Sequence, residues 1–233
     1  MNTTTMRLSV YSGFAFLAVV LLGFVVLAGF LPPPSPTMTA AEVARMYVEE
    51  GPWIRAGAAV MIFGAAFAFP FSAVLFHQVK AAEGGGPAPM AYTSLVAGVM
   101  ITLAIVFPSF FVGAAATGAG TRAPELIESL NDLAWLVFVG FITPLMAQAT
   151  AVAVATFADR RARPVFPRWV GYFNLWCALA YAPGVLILCF DEGPFAYDGV
   201  FTFWLGLVVF GLWWVVMMTQ ALKVLKRDAV DPL

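Results

Sequence analysis

Apolar residues run along this chain in six long blocks, roughly 9–31, 54–79, 92–113, 132–157, 170–190 and 201–222. The short stretches between them hold nearly all the charges. Each block has about 20 residues or more, the helical length needed to cross a hydrocarbon core about 30 Å thick. The apolar runs are continuous rather than alternating with polar residues, which predicts helices and not barrel strands. After the first block, Pro32, Pro33, Pro34 and Pro36 form a short stiff segment. Thr39-Ala40-Ala41-Glu42 then reads as a capping box, predicting a short amphipathic helix that Gly51-Pro52 closes just after Glu50. This helix is expected on the outer surface, with Val43, Met46 and Tyr47 turned to the membrane or the bundle. The fold class expected is therefore all-α: a polytopic transmembrane bundle of six spans, with a short external helix after span 1 and a single domain over 1–233.

Span 1 raises the question of a signal peptide. Its run of about 23 residues exceeds the apolar core of such peptides, about 7–15 residues, and no A-x-A-like site closes it. A retained anchor is expected.

Composition removes the other classes. The chain is 62 % hydrophobic and 11 % charged, with a mean hydropathy of +0.90. A soluble domain carries about 25 % charge, and disordered chains are poor in aromatics. Two cysteines cannot staple a disulfide scaffold. Cys177 and Cys189 lie about 18 Å apart along a helix, too far to bridge.

Charge sets the expected orientation. With both ends on one side, that side carries Arg7, Lys80, Arg160, Arg161, Arg163, Arg168, Lys223, Lys226 and Arg227, nine of the 12 basic residues. The other side keeps Arg45, Arg55 and Arg122 together with most of the acids. The positive-inside rule makes the basic side, with both termini, cytoplasmic. The basic loop around Arg160 suits topology and anionic lipid, and no nucleic-acid partner is expected. Glu83-Gly84-Gly85-Gly86-Pro87 reads as a linker.

The third external segment starts with a small, flexible stretch over 113–120. Pro124 then opens a helix on which Glu125, Glu128, Asp132 and Trp135 share one face, continued by Val139, Thr143, Met146 and Thr150. Arg55 and Asp132, both at outer helix ends, are candidates for an ion pair between spans 2 and 4, or for binding a head group or carboxylate. Polar residues within or near the spans are few: His77, Gln78, Thr102, Thr143, Gln148, Thr150, Asn174 and Tyr181. Hydrogen bonds between helices explain such residues; the alternative is a polar spot in an apolar ligand pocket. Pro70, Pro108, Pro144 and Pro183 each free a carbonyl and kink a span, which can open a cavity. Lone His77, at the inner edge of span 2, is a weak candidate for a cofactor ligand; no cofactor and no metal are expected. Trp53, Trp169, Trp176 and Trp204 fit interfacial belts. The deeper Trp213-Trp214 pair suits lipid-facing packing or an aromatic pocket for an isoprenoid or sterol.

Three stretches resemble motifs of an uncharacterised family of bacterial six-span integral membrane proteins: Asn131-Asp132-Leu133-Ala134-Trp135, the run Phe166-Pro167-Arg168-Trp169-Val170-Gly171-Tyr172-Phe173-Asn174-Leu175-Trp176, and Gly193-Pro194-Phe195-Ala196-Tyr197-Asp198-Gly199. The resemblance implies the six-helix topology and a bacterial inner (plasma) membrane, and it transfers no activity. The reading that follows from a span interior almost free of ionisable groups is a non-catalytic protein. It would be a binder of a hydrophobic small molecule, or an accessory subunit among partner subunits of a membrane complex, with membrane lipids around it. The alternatives are a membrane-embedded enzyme on a lipid or isoprenoid, using Glu125, Glu128, Asp132, Asp191 and Glu192 at the outer mouth, and a transporter of a small apolar solute. The candidate binding or helix-pairing residues are Arg55, Glu125, Glu128, Asp132, Thr143, Gln148, Asn174 and Tyr181.

Overall fold

The computed structural model describes residues 3–230, and no strand occurs among them. Helix α1 (Thr3–Leu21) continues as a π-helical stretch, Leu22–Leu27. It is followed by α2 (Ala40–Ala65), α3 (Ala68–Ala82), α4 (Pro89–Gly118), α5 (Pro124–Gly140), α6 (Thr143–Ala158) and α7 (Arg168–Tyr181). A 3-10 stretch (Ala182–Leu188), a 3-10 turn (Gly193–Phe195) and a π-helical turn (Val200–Trp204) lead into α8 (Leu205–Val230). Six segments are long and apolar enough to cross a membrane: Thr4–Leu27, Ala40–Ala82, Pro89–Gly118, Pro124–Ala158, Arg168–Leu188 and Gly193–Ala229.

Side-chain pairs fix the packing as antiparallel. Phe16 of α1 meets Trp214 of α8 with ring centroids 4.4 Å apart, and Phe24 meets Phe203, earlier in the last segment, at 6.4 Å. Phe76 of α3 meets Tyr92 of α4 at 5.3 Å, and Phe157 of α6 meets Tyr172 of α7 at 4.9 Å. Where α1 crosses α2 the backbones touch: a Cβ on Gly23 would stand 2.7 Å from the carbonyl oxygen of Gly57. Small residues permit this approach, which lipid-embedded helices use because lipid gives them no hydrophobic drive to associate.

The expected external helix is longer than the sequence suggests. The capping box is present, with the Thr39 side chain and Glu42 bonded reciprocally. Yet α2 runs unbroken through Gly51-Pro52 to Ala65. Its buried positions Val43, Tyr47, Gly51, Ile54, Ala58, Met61 and Ala65 keep a spacing of three and four throughout. That stripe packs on α4 and α5 and holds the helix straight where local propensity would end it. The stretch 113–120 is corrected likewise: α4 is helical to Gly118, because Ala115 and Ala116 are buried against α2. Trp213 and Trp214 are both 2 % exposed and so lie inside the bundle, not toward lipid. Trp53, Trp169, Trp176 and Trp204 are exposed.

The loop between α6 and α7 is closed by one carboxylate. Asp159 caps the end of α6, and its side chain is 1 % exposed. It accepts hydrogen bonds from Arg161 Nε at 2.9 Å and Nη2 at 2.8 Å, from the Val165 N–H at 2.8 Å and from the Arg161 N–H at 3.2 Å. Arg227 Nη1 of α8 donates to the carbonyl of Pro164 in the same loop at 2.8 Å. Burial pushes the Asp159 carboxyl up, and the bonds from Arg161 and Val165 outweigh it, leaving the group below its ordinary range. A carboxyl depressed on folding stabilises fully above its unfolded value, about 3.9, and progressively less as pH falls toward the folded value. Asp159→Asn is therefore expected to lower unfolding stability in detergent by about 1–3 kcal/mol at pH 7. The gap between wild type and variant should shrink below about pH 4. A gap that stays constant down to pH 3 would contradict the assignment.

Candidate functional site: an apolar cavity where three helices lose their regularity

Three of the four span prolines interrupt their helices, and each freed carbonyl finds a nearer donor. Pro144 would clash with Gly140 O in a continuous helix. The chain instead breaks at Phe141-Ile142, and the Ile142 N–H donates to Gly140 O at 2.8 Å. Pro183 frees Leu179 O, which the Ala182 N–H takes as α7 tightens into the 3-10 stretch. Pro70 frees Ala66 O, and the Phe69 N–H reaches it at 3.3 Å in the break between α2 and α3. These contractions satisfy backbone that lipid could not. Pro108 differs: α4 passes through it without a break.

The α5–α6 break, the end of α7 just before its 3-10 stretch and the π-helical turn before α8 lie around one cavity of about 80 Å³. Its apolar wall includes Ile101 and Ile105 of α4, Phe138 of α5, Leu145 of α6 and Phe210 of α8. Tyr181 and Thr202 are the lining residues that carry hydroxyls, and the Tyr181 OH is itself closed off from the open space. Leu145, Gly206, Leu207 and Phe210 are half-buried, so the rim is open rather than sealed. The space equals the share of two or three waters at about 30 Å³ each, well below the roughly 300–1,000 Å³ that encloses a drug-sized ligand. It suits the end of a longer molecule whose remainder stays in the membrane.

The two hydroxyls differ in their bonding. Thr202 Oγ1 donates to Ala196 O, and its own lone pairs stay available. Tyr181 is 3 % exposed, and its OH has no hydrogen-bond partner. Among the described residues the other buried side-chain atoms without one are Gln78 Oε1, Ser94 Oγ, Trp214 Nε1 and Arg227 Nη2, and none of those residues lines the cavity. An orphaned buried hydroxyl costs about 1–3 kcal/mol, which an incoming acceptor would recover.

Of the candidate binding or helix-pairing residues, only Tyr181 lines this cavity, together with Val139 of the face read on α5. Gln148 and Asn174 are buried and join helices. Gln148 Nε2 donates to Ser94 O of α4 at 3.2 Å. Asn174 Oδ1 accepts from Trp213 Nε1 of α8 at 2.7 Å, and its Nδ2 donates to Val170 O at 2.9 Å. Thr143 is exposed, because the break at Phe141-Ile142 rotates it off the face read from the sequence. Glu125 is exposed and Glu128 half-buried at the end of the bundle. Arg55 and Asp132 make no ion pair. Arg55 is exposed on the α2–α4 side, while half-buried Asp132 accepts a long bond from Asn131 Nδ2 at 3.4 Å. His77 is exposed. Among the described residues no group of three or more His, Cys, Asp or Glu side chains is placed to hold a metal.

The sequence reading passed over Asn131, one position from Asp132. Its Oδ1 accepts from Tyr47 OH of α2 at 3.1 Å and from Trp135 Nε1 at 3.2 Å. Tyr197 stacks on Trp135 with centroids 5.6 Å apart, and Phe24, Phe30, Phe138 and Phe203 surround the indole. The signal was there, since Ile127, Asn131, Ala134 and Trp135 form the buried stripe of α5. Thr202 and Gly206 carried none, because their role depends on the π-helical turn.

Asn131→Leu orphans two buried donors at once. It is expected to cost about 2–4 kcal/mol of unfolding stability in detergent, with Tyr47→Phe costing about 1 kcal/mol. Equal losses for the two variants would refute the shared acceptor.

No family model, curated protein or solved structure matches the chain, and the reading of the site rests on its own geometry.

Proposed function

We propose that this chain is a non-catalytic integral membrane protein that takes the polar end of a hydrophobic molecule into the cavity beside Tyr181. The buried, unpaired hydroxyl of Tyr181, a residue lining a mostly apolar cavity that a small side-chain movement would open to it, carries the reading. It calls for a ligand with one hydrogen-bond acceptor, such as a carbonyl or ether oxygen, on a long apolar body. The outer surface supports the membrane setting. Val26, Phe63, Leu179, Val208 and Leu188 are 62–72 % exposed, an apolar exterior that suits acyl chains. Among the described residues, the only Lys, Arg, Asp or Glu that is buried is Asp159, at the loop end of α6. Glu125, Asp191 and Glu192 are exposed and line no part of the cavity, which favours binding over acid–base chemistry. The basic loops support cytoplasmic termini by the positive-inside rule, and the proposed setting is a bacterial inner membrane.

Native mass spectrometry of the gently extracted protein tests the reading. Wild type is expected to carry an apolar small molecule. Tyr181→Phe should weaken its retention about two- to tenfold, the worth of one hydrogen bond. Gly206→Leu should abolish it by filling the cavity, since a Cβ at Gly206 meets nothing within 4 Å. Identical spectra for the three proteins would end the proposal.

A further inference from the structure

A second groove lies away from this cavity, between α2 and α4. It measures about 430 Å³ and is lined by Arg55 and Arg122 above a floor that includes Ala59, Ile62, Phe110 and Ala114. The two arginines come from different parts of the chain, mid-α2 and the α4–α5 loop. Both are exposed, and neither guanidinium has a carboxylate or carbonyl partner among the described residues, although this end of the bundle is rich in acids. Arg122 is also seated. Its stem lies on Gly118, where a Cβ would stand 2.6 Å from Cδ and 3.2 Å from Cζ.

We infer that this groove binds an anionic glycerophospholipid, its phosphate between Arg55 and Arg122 and one acyl chain along the floor. Arg55 and Arg122 line one groove without an opposite charge, and a phosphodiester that each can grip through paired N–H donors supplies it. Ile62 lies two turns from Arg55, about 10 Å along α2, so charge and apolar floor follow one another in the order of a lipid's head and tail. Small side chains on α2 and α4 leave the space the chain fills.

The protein is reconstituted in nanodiscs of equal parts phosphatidylglycerol and phosphatidylcholine, and the lipids it retains are read by native mass spectrometry. Wild type is expected to retain phosphatidylglycerol preferentially. Arg55→Gln and Arg122→Gln should each reduce that preference about fivefold, as one basic residue near an anionic surface does. Arg→Lys at both positions should retain part of it. Ala59→Leu, which keeps both charges, should lower retention by filling the floor. Unchanged preference in the double glutamine variant, or in Ala59→Leu, would overturn the proposal. So would displacement of the lipid by millimolar inorganic phosphate, which would mark a site for a soluble anion. A thermal-stability loss for Arg122→Gln that is equal in pure phosphatidylcholine would overturn it too, by showing that the arginine only caps the end of α4.

Discussion

Four amide side chains tie the helices together pairwise. Asn131 joins α5 to α2 through Tyr47, and Gln148 joins α6 to α4. Asn174 joins α7 to α8 through Trp213, and Gln78 Nε2 joins α3 to the Ala221 carbonyl of α8 at 3.1 Å. In an apolar surround each bond contributes modestly, about 0.6 kcal/mol on average. Leaving either partner bare costs more, so the amides select one register among many similar apolar packings. Helix α1 has no amide and is positioned by other means: the close approach at Gly23 and Gly57, and the rings of Phe16 and Phe24 against Trp214 and Trp135.

Among the buried polar atoms left unpaired, the Tyr181 hydroxyl is the one on a residue that lines the cavity. It sits where α5–α6, α7 and the start of α8 all leave regular α geometry. The prolines that shape two of these departures leave room that straight helices would close. The same contractions keep the backbone satisfied, so the cavity forms without exposing bare carbonyls to lipid. Binding there asks for an acceptor on an apolar body, whereas the Arg55–Arg122 groove asks for an anion on an apolar tail. The two proposed sites lie in different parts of the molecule and call for different ligand chemistry.

Much of the fold was legible in the residues. Six blocks of the right length gave six segments, the Thr39–Glu42 capping box formed, and three of four span prolines marked a break. The errors run in two directions. Gly51-Pro52 and the stretch 113–120 look like helix ends locally, yet α2 and α4 continue through them because each buries small side chains against the other. The face drawn through Asp132 and Thr143 assumed an unbroken helix, and the break at Phe141-Ile142 separated those residues.

The sequence alone determined the number of spans, their helical state and the loops that carry charge, because those follow from hydrocarbon thickness and from backbone bonds made within each segment. Tertiary structure decided which polar residues became partners. Asn131 rather than Asp132 received the buried bonds, Tyr181 was left without one, and Arg55 and Arg122 came to line one groove. Such pairings depend on the rotation and offset of helices far apart in the chain. The apolar pattern constrains these only loosely, because in lipid most faces of a helix are equally apolar.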